Sequence, residues 1–235
     1  SAPSRIRIHR SLGQIAREHL KDPERAITHY KCVLFEETGD EDSLEALEEL
    51  YLSQHNFMGL EEVLKKRSEE AADPNVRRRA MGRLGQLYED VFGHMDRAAD
   101  VYRSMIREVP DDPDTVTKLR RAYGSLENWP ELADALEQVL AAATEHRRIV
   151  ALRMELAELY RTHLDELRTA VEHYRAALEV PGVNRDHVVR ALEDLLAYPQ
   201  VESHIIPILE RAYRAADKPM ALLALLQRKV DQTTK

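Results

Sequence analysis

The chain has 235 residues, 43% of them hydrophobic and 32% charged, with a net charge of −8. That balance suits a soluble folded protein with wide solvated faces. It excludes a bilayer-crossing segment, which needs an apolar run of about 20 residues, and disfavours a nucleic-acid scaffold, which needs a continuous basic stripe. Gly and Pro are few, while Ala, Leu, Glu and Arg, all strong helix formers, dominate. Cys32 is the lone cysteine, so no intrachain disulfide forms, and a cytoplasmic setting is expected. The start at Ser1 rather than Met points to an excised fragment.

Taken in chain order, the predicted elements repeat. Leu12 and Gly13 open a helical stripe, followed by the cap sequence Asp22, Pro23, Glu24 and a second stripe through Ala26, Tyr30 and Leu34. A second helix pair carries Leu47 and Tyr51, then Phe57, Leu60 and Leu64. The pattern returns 72 residues later, with Leu84, Gly85, Leu87 and Tyr88, then Ala98, Tyr102 and Met105. Leu119 and Tyr123 follow, then Trp129, Leu132 and Leu136. It returns once more at Leu156, Ala157, Ala170 and Tyr174. Four apolar positions kept in phase over three copies mark a repeat architecture. The third copy is longer. Leu209 and Tyr213 match Leu119 and Tyr123 at a spacing of 90, so about 18 residues are read as an insertion near Gly182–Gln200. Its apolar side, Val188, Leu192, Leu195 and Leu196, predicts one extra helix near 185–198. The expected organisation is a single solenoid over 1–235, with units at 4–75, 76–147 and 148–235.

Leu84, Gly85, Tyr88, Ala98, Tyr102 and Pro110 resemble the tetratricopeptide repeat signature. The paired long and short repeats are also similar to those of long bacterial multi-repeat proteins. The resemblance implies an all-α fold, a right-handed α-solenoid of about six antiparallel helix pairs plus the inserted helix. It also implies a protein-interaction scaffold rather than an enzyme. In this family the first helix of each pair lines a concave face. On that basis the partner-contacting residues are expected among Arg79, Arg83, Gln86, Glu89, Arg121, Met154, Glu158, Arg161, Arg211 and Arg214. Arg10, Gln14, Arg17, Glu45 and Glu49 are expected on the same faces. The family's peptide clamp uses Lys and Asn at positions where this chain has neither. Two departures from the pattern are Glu48 and Arg120, which stand where the first helix usually has a small residue, and each unit's first pair has an extra residue in its turn.

No catalytic, cofactor-binding or metal-binding constellation emerges. Ten histidines are scattered without ligand spacing, and Cys32 has no activating neighbour in sequence. Trp129 and Phe57 occupy equivalent repeat positions and read as core anchors. The acidic run from Glu36 to Glu49 reads as a solvated, capped helix start or as a dock for a basic partner. Net charge rises along the chain from −6 over 5–75 to +2 over 220–235. The expected partner is a protein or peptide, with no nucleic acid, no membrane insertion and no cofactor. The alternatives are an RNA-binding helical repeat and a regulatory domain of a larger enzyme.

Overall fold

A computed structural model describes residues 2–182 and 184–233. Its thirteen helices fall into two compact units, Ser1–Leu126 and Glu127–Lys235, with no strand among the described residues.

In the first unit the helices are α1 (Ala2–Ile15), α2 (Pro23–Glu36), α3 (Glu41–Ser53), α4 (Phe57–Glu70), α5 (Pro74–Leu87), α6 (Met95–Glu108) and α7 (Pro113–Ser125). Each packs on the next in sequence. The sequence sets their starts. Asp22, Asp40, Asn56, Asp73 and Asp112 each accept a hydrogen bond from a backbone N–H of the first turn, satisfying donors that have no partner within the helix. Pro23, Pro74 and Pro113 sit in the first turn, where a missing N–H costs nothing.

The extra residue in the turn after α1 and α5 has a specific geometry. Both helices finish in a π-helical turn, Ala16–Leu20 and Tyr88–Phe92, closed by a left-handed residue, Lys21 or Gly93. A backbone bond then spans six residues, from Asp22 N–H to the Ala16 carbonyl and from His94 N–H to the Tyr88 carbonyl. The third copy makes the same bond from Glu166 to Tyr160, with Asp165 left-handed.

Across α5 and α6 the packing is close enough to require glycine. A Cβ on Gly85 would stand 2.8 Å from Cζ of Tyr102, inside van der Waals contact. Tyr102, Ile106, Val116 and Leu119 are fully buried around that contact. Leu12 departs from its repeat position. Leu84 and Leu156 are buried, but Leu12 is 40% exposed, in line with Ile8 and Ile15. The cause is neighbourhood: α5 packs broadly on both α4 and α6, whereas α1 packs broadly on α2 and meets α3 mainly through ion pairs.

The second unit holds α8 (Trp129–Ala142), α9 (His146–Thr162), α10 (Leu167–Glu179), α11 (Asp186–Leu195), α12 (Pro199–Ala215) and α13 (Pro219–Thr233). Ala157, Tyr174, Leu192, Leu195, Ile205 and Leu209 form its centre. Helix α11 buries Val188, Val189, Leu192 and Leu195 and packs on both α10 and α12, while α12 also reaches α10 and α13. The left-handed residues His55, Glu127 and Asp217 close the helices that carry Tyr51, Tyr123 and Tyr213. Trp129 and Phe57 sit at helix starts and are only partly buried. Trp129 stacks on His163 at 3.8 Å between ring centroids.

Candidate protein-contact surface

Carboxylates buried between helices organise the polar side of the first unit. Glu48 of α3 is almost fully buried and is gripped by two guanidiniums, Arg67 of α4 and Arg83 of α5. Arg67 also binds Glu41. A buried carboxylate is tolerable only with such partners, which explains a large acidic residue where a small one is expected. Glu61 of α4 accepts from Lys65 at 2.7 Å and from the Tyr88 hydroxyl at 2.9 Å. The Lys65 bond is the main reason its carboxyl stays below the usual range.

Glu89 is buried in the π-helical turn. It accepts from the Tyr102 hydroxyl at 3.1 Å and pairs with Arg121 of α7 at 2.5 Å. Burial, followed by the charge of Glu89, pushes the Tyr102 hydroxyl well above the usual tyrosine range. Seventy-two residues earlier the same ion pair occurs with its signs exchanged: Arg17 stands at the position of Glu89, Glu49 at that of Arg121, and they meet at 3.2 Å.

Of the expected contact residues, Arg79, Arg83 and Gln86 project from α5 and are exposed. Arg83 is held by Glu48, whereas Arg79 makes no ion pair with any described residue. Arg121 is exposed and tied to Glu89, which is itself buried and therefore a support rather than a contact.

Residues 80–117 match the family described as the tetratricopeptide repeat. The chain carries a tetratricopeptide repeat. The match spans the Gly85–Tyr102 contact and the start of α7, so the repeat covers this close approach of α5 and α6. Among solved structures, MamA is similar at 19% identity over 84% of this chain and 97% of its own, with a TM-score of 0.41. A thermophilic TPR protein from Thermus thermophilus is 22% identical over 83% of this chain and 100% of its own, at 0.34. The pilF protein of Pseudomonas aeruginosa is 15% identical over 80% and 82%, at 0.39. No curated protein matches the sequence. The tetratricopeptide-repeat fold is in general a scaffold for protein–protein contact, and no described helix is long and apolar enough to cross a membrane.

The second unit varies the repeat's theme. Glu158 of α9 accepts from the Tyr174 hydroxyl at 2.5 Å and from Arg161 at 2.5 Å. Burial pushes its carboxyl up, but these two bonds outweigh burial and hold it below the usual range. Met154 is partly buried on the same helix. On α12, Arg211 is exposed and Arg214 pairs with Glu210 at 2.5 Å. Tyr213 donates to Glu193 of α11 at 2.5 Å. Sequence reasoning misses these tyrosine–carboxylate bonds, because the tyrosine repeats but its acceptor does not: Glu89 and Glu158 occupy different repeat positions.

Proposed function

We propose that the chain is a non-catalytic scaffold that binds a partner protein or peptide on the first helices of its pairs. In the first unit this surface comprises Arg79, Arg83 and Gln86 of α5 with Arg121 of α7, backed by Glu89. In the second it comprises Met154, Glu158 and Arg161 of α9 and Arg211 and Arg214 of α12, each unit acting through its own face. The observation that carries the reading is the fixed guanidiniums. Glu48 holds Arg83 and Glu89 holds Arg121, so these exposed cations are ordered before a partner arrives, with Arg79 one turn from Arg83 and unpaired. Pre-ordering removes part of the side-chain entropy that binding otherwise costs. The surface suits a mixed-charge or acidic partner.

The test uses the purified chain as bait in an extract of its source cells, followed by affinity measurement on the captured protein. Arg79→Glu is expected to weaken the complex by about 10-fold or more, and Arg25→Glu on α2 to leave it nearly unchanged. Equal effects of the two variants would refute the surface. Tight RNA binding at ~150 mM salt would replace the reading with the nucleic-acid one.

A further inference from the structure

The first helix pair contains a polar group that its sister copies satisfy and it does not. Tyr30 of α2 is 3% exposed and packs over Gly13, as Tyr102 packs over Gly85. Tyr102 and Tyr174 donate to Glu89 and Glu158. In the first copy those two positions are Arg17 and Gln14, and the Gln14 amide is turned to Glu18 at 3.3 Å. No acceptor among the described residues reaches the Tyr30 hydroxyl. The ring is buried, but the hydroxyl itself is not enclosed and opens toward solvent, so its hydrogen bond is left to water or a ligand. Here the ring lines a cleft of about 310 Å³ between α1 and α3.

The opposite wall is acidic. Asp42, Glu45 and Glu49 lie at helical spacing along α3 and line the cleft together. Other members of the acidic run are used inside the fold: Asp40 by Arg10, and Glu41 and Glu48 by Arg67. Glu45 makes no ion pair with any described residue. The two cations on the near wall are already matched, Arg10 by Asp40 and, at 3.7 Å, by Asp42, and Arg17 by Glu18 and Glu49 at 3.2 Å each, which leaves the carboxylates in excess. The cleft therefore presents uncompensated negative charge beside an unused hydroxyl. No three His, Cys, Asp or Glu among the described residues gather closely enough to hold a metal ion. The charge calls for a longer, hydrogen-bonding cation.

We propose that this cleft receives a lysine or arginine side chain from an extended segment of a partner protein. The cation donates to Glu45 and Glu49, and a backbone carbonyl of the same segment accepts from Tyr30. The site rests on the scaffold reading, but it names a second contact point, on α1 and α3, of opposite sign to the α5 surface.

The experiment observes the ring resonances of 13C-tyrosine-labelled protein, assigned with Tyr30→Phe, during titration with an acetylated, amidated tetralysine peptide. A saturable shift of Tyr30 is expected, with Tyr102 and Tyr174 unmoved and with weakening at higher salt. Glu45→Gln is expected to weaken binding about 2- to 5-fold, the range for one exposed charge pair. The exchange Arg17→Glu with Glu49→Arg recreates the Glu89–Arg121 arrangement that the fold already accommodates. It should give Tyr30 an internal acceptor and abolish the response. If that variant fails to fold, Glu45→Gln carries the test. A tetraglutamate peptide that moves Tyr30 more than tetralysine does would overturn the proposal, as would a tetralysine response indifferent to Glu45→Gln. A captured partner that still depends on Arg79, alongside a Tyr30 that tetralysine leaves unmoved, removes the cleft and keeps the scaffold. Tyr30 responding to tetralysine while Arg79→Glu and Arg25→Glu act alike keeps the cleft and removes the α5 surface.

Discussion

Removing the Glu48 carboxylate is the sharpest probe of how the first unit is held together. Its side chain is 2% exposed and lies between Arg67, 11% exposed, and Arg83, 49% exposed. Glu48→Gln leaves Arg67 charged in a poorly solvated place. Breaking a buried pair from one side costs roughly 3–5 kcal/mol. Arg67 keeps Glu41 as a partner, so the lower end of that range, about 3 kcal/mol, is expected. Arg83 is half in water, and Arg83→Ala should cost under about 1 kcal/mol. The double change Glu48→Leu with Arg67→Met removes both charges and should be far milder than Glu48→Gln alone, because no ion is left stranded. Urea unfolding followed by far-UV circular dichroism gives the energies, and hydrogen exchange of α3 and α4 amides locates the loss. A Glu48→Gln variant within about 1 kcal/mol of the parent would refute the argument. So would a double variant less stable than the single one.

Leu119→Ala should cost about 2–5 kcal/mol by leaving a cavity at a fully buried site, and Leu12→Ala should cost under about 1 kcal/mol because Leu12 already meets solvent. Comparable losses in thermal or urea unfolding would contradict the burial pattern. Alkaline stability should fall above pH ~10, the ordinary tyrosine value. Burial, with Glu89, Glu158 and Glu193 second, raises the folded-state pKa of Tyr102, Tyr174 and Tyr213 above the unfolded one. Their stabilisation is therefore intact below pH ~10 and lost as pH rises toward the folded value. Tyrosinate absorbance recorded with circular dichroism checks this. Ionisation of all nine tyrosines near pH ~10 with helix content intact would contradict it.

The helices and their caps are legible in the sequence because each depends on residues within a turn or two of one another. Asp22 with Pro23 announces its helix, and Asp22 caps it as expected. The glycine at 13 and 85 foretells the tyrosine packed above it. What escapes the sequence depends on distant partners. Glu48 is visible as an anomaly, but its grip comes from residues 19 and 35 positions downstream, on α4 and α5. Arg83 looks like a free cation in sequence for the same reason. The extra turn residue can be counted, yet nothing local indicates that it becomes a π-helical turn closed by a left-handed residue. Leu12 misleads because a repeat position is buried only when both neighbours are present, and periodicity alone does not report neighbours.

The sign exchange between Arg17–Glu49 and Glu89–Arg121 also bears on how the first unit assembles. Near-identical helix pairs invite misassembly, since a newly formed pair can dock on the wrong sister during folding. Were α1 to take the place of α5 beside α7, Arg17 would meet Arg121; were α5 to take the place of α1 beside α3, Glu89 would meet Glu49. Like charges at such contacts oppose the wrong arrangement, while each native pairing brings opposites together. The apolar stripes, nearly the same in both copies, offer little discrimination of that kind. Inverted polarity gives each pair a private address for its proper neighbour, so that fidelity of assembly comes from the charges that vary between copies rather than from the core they share.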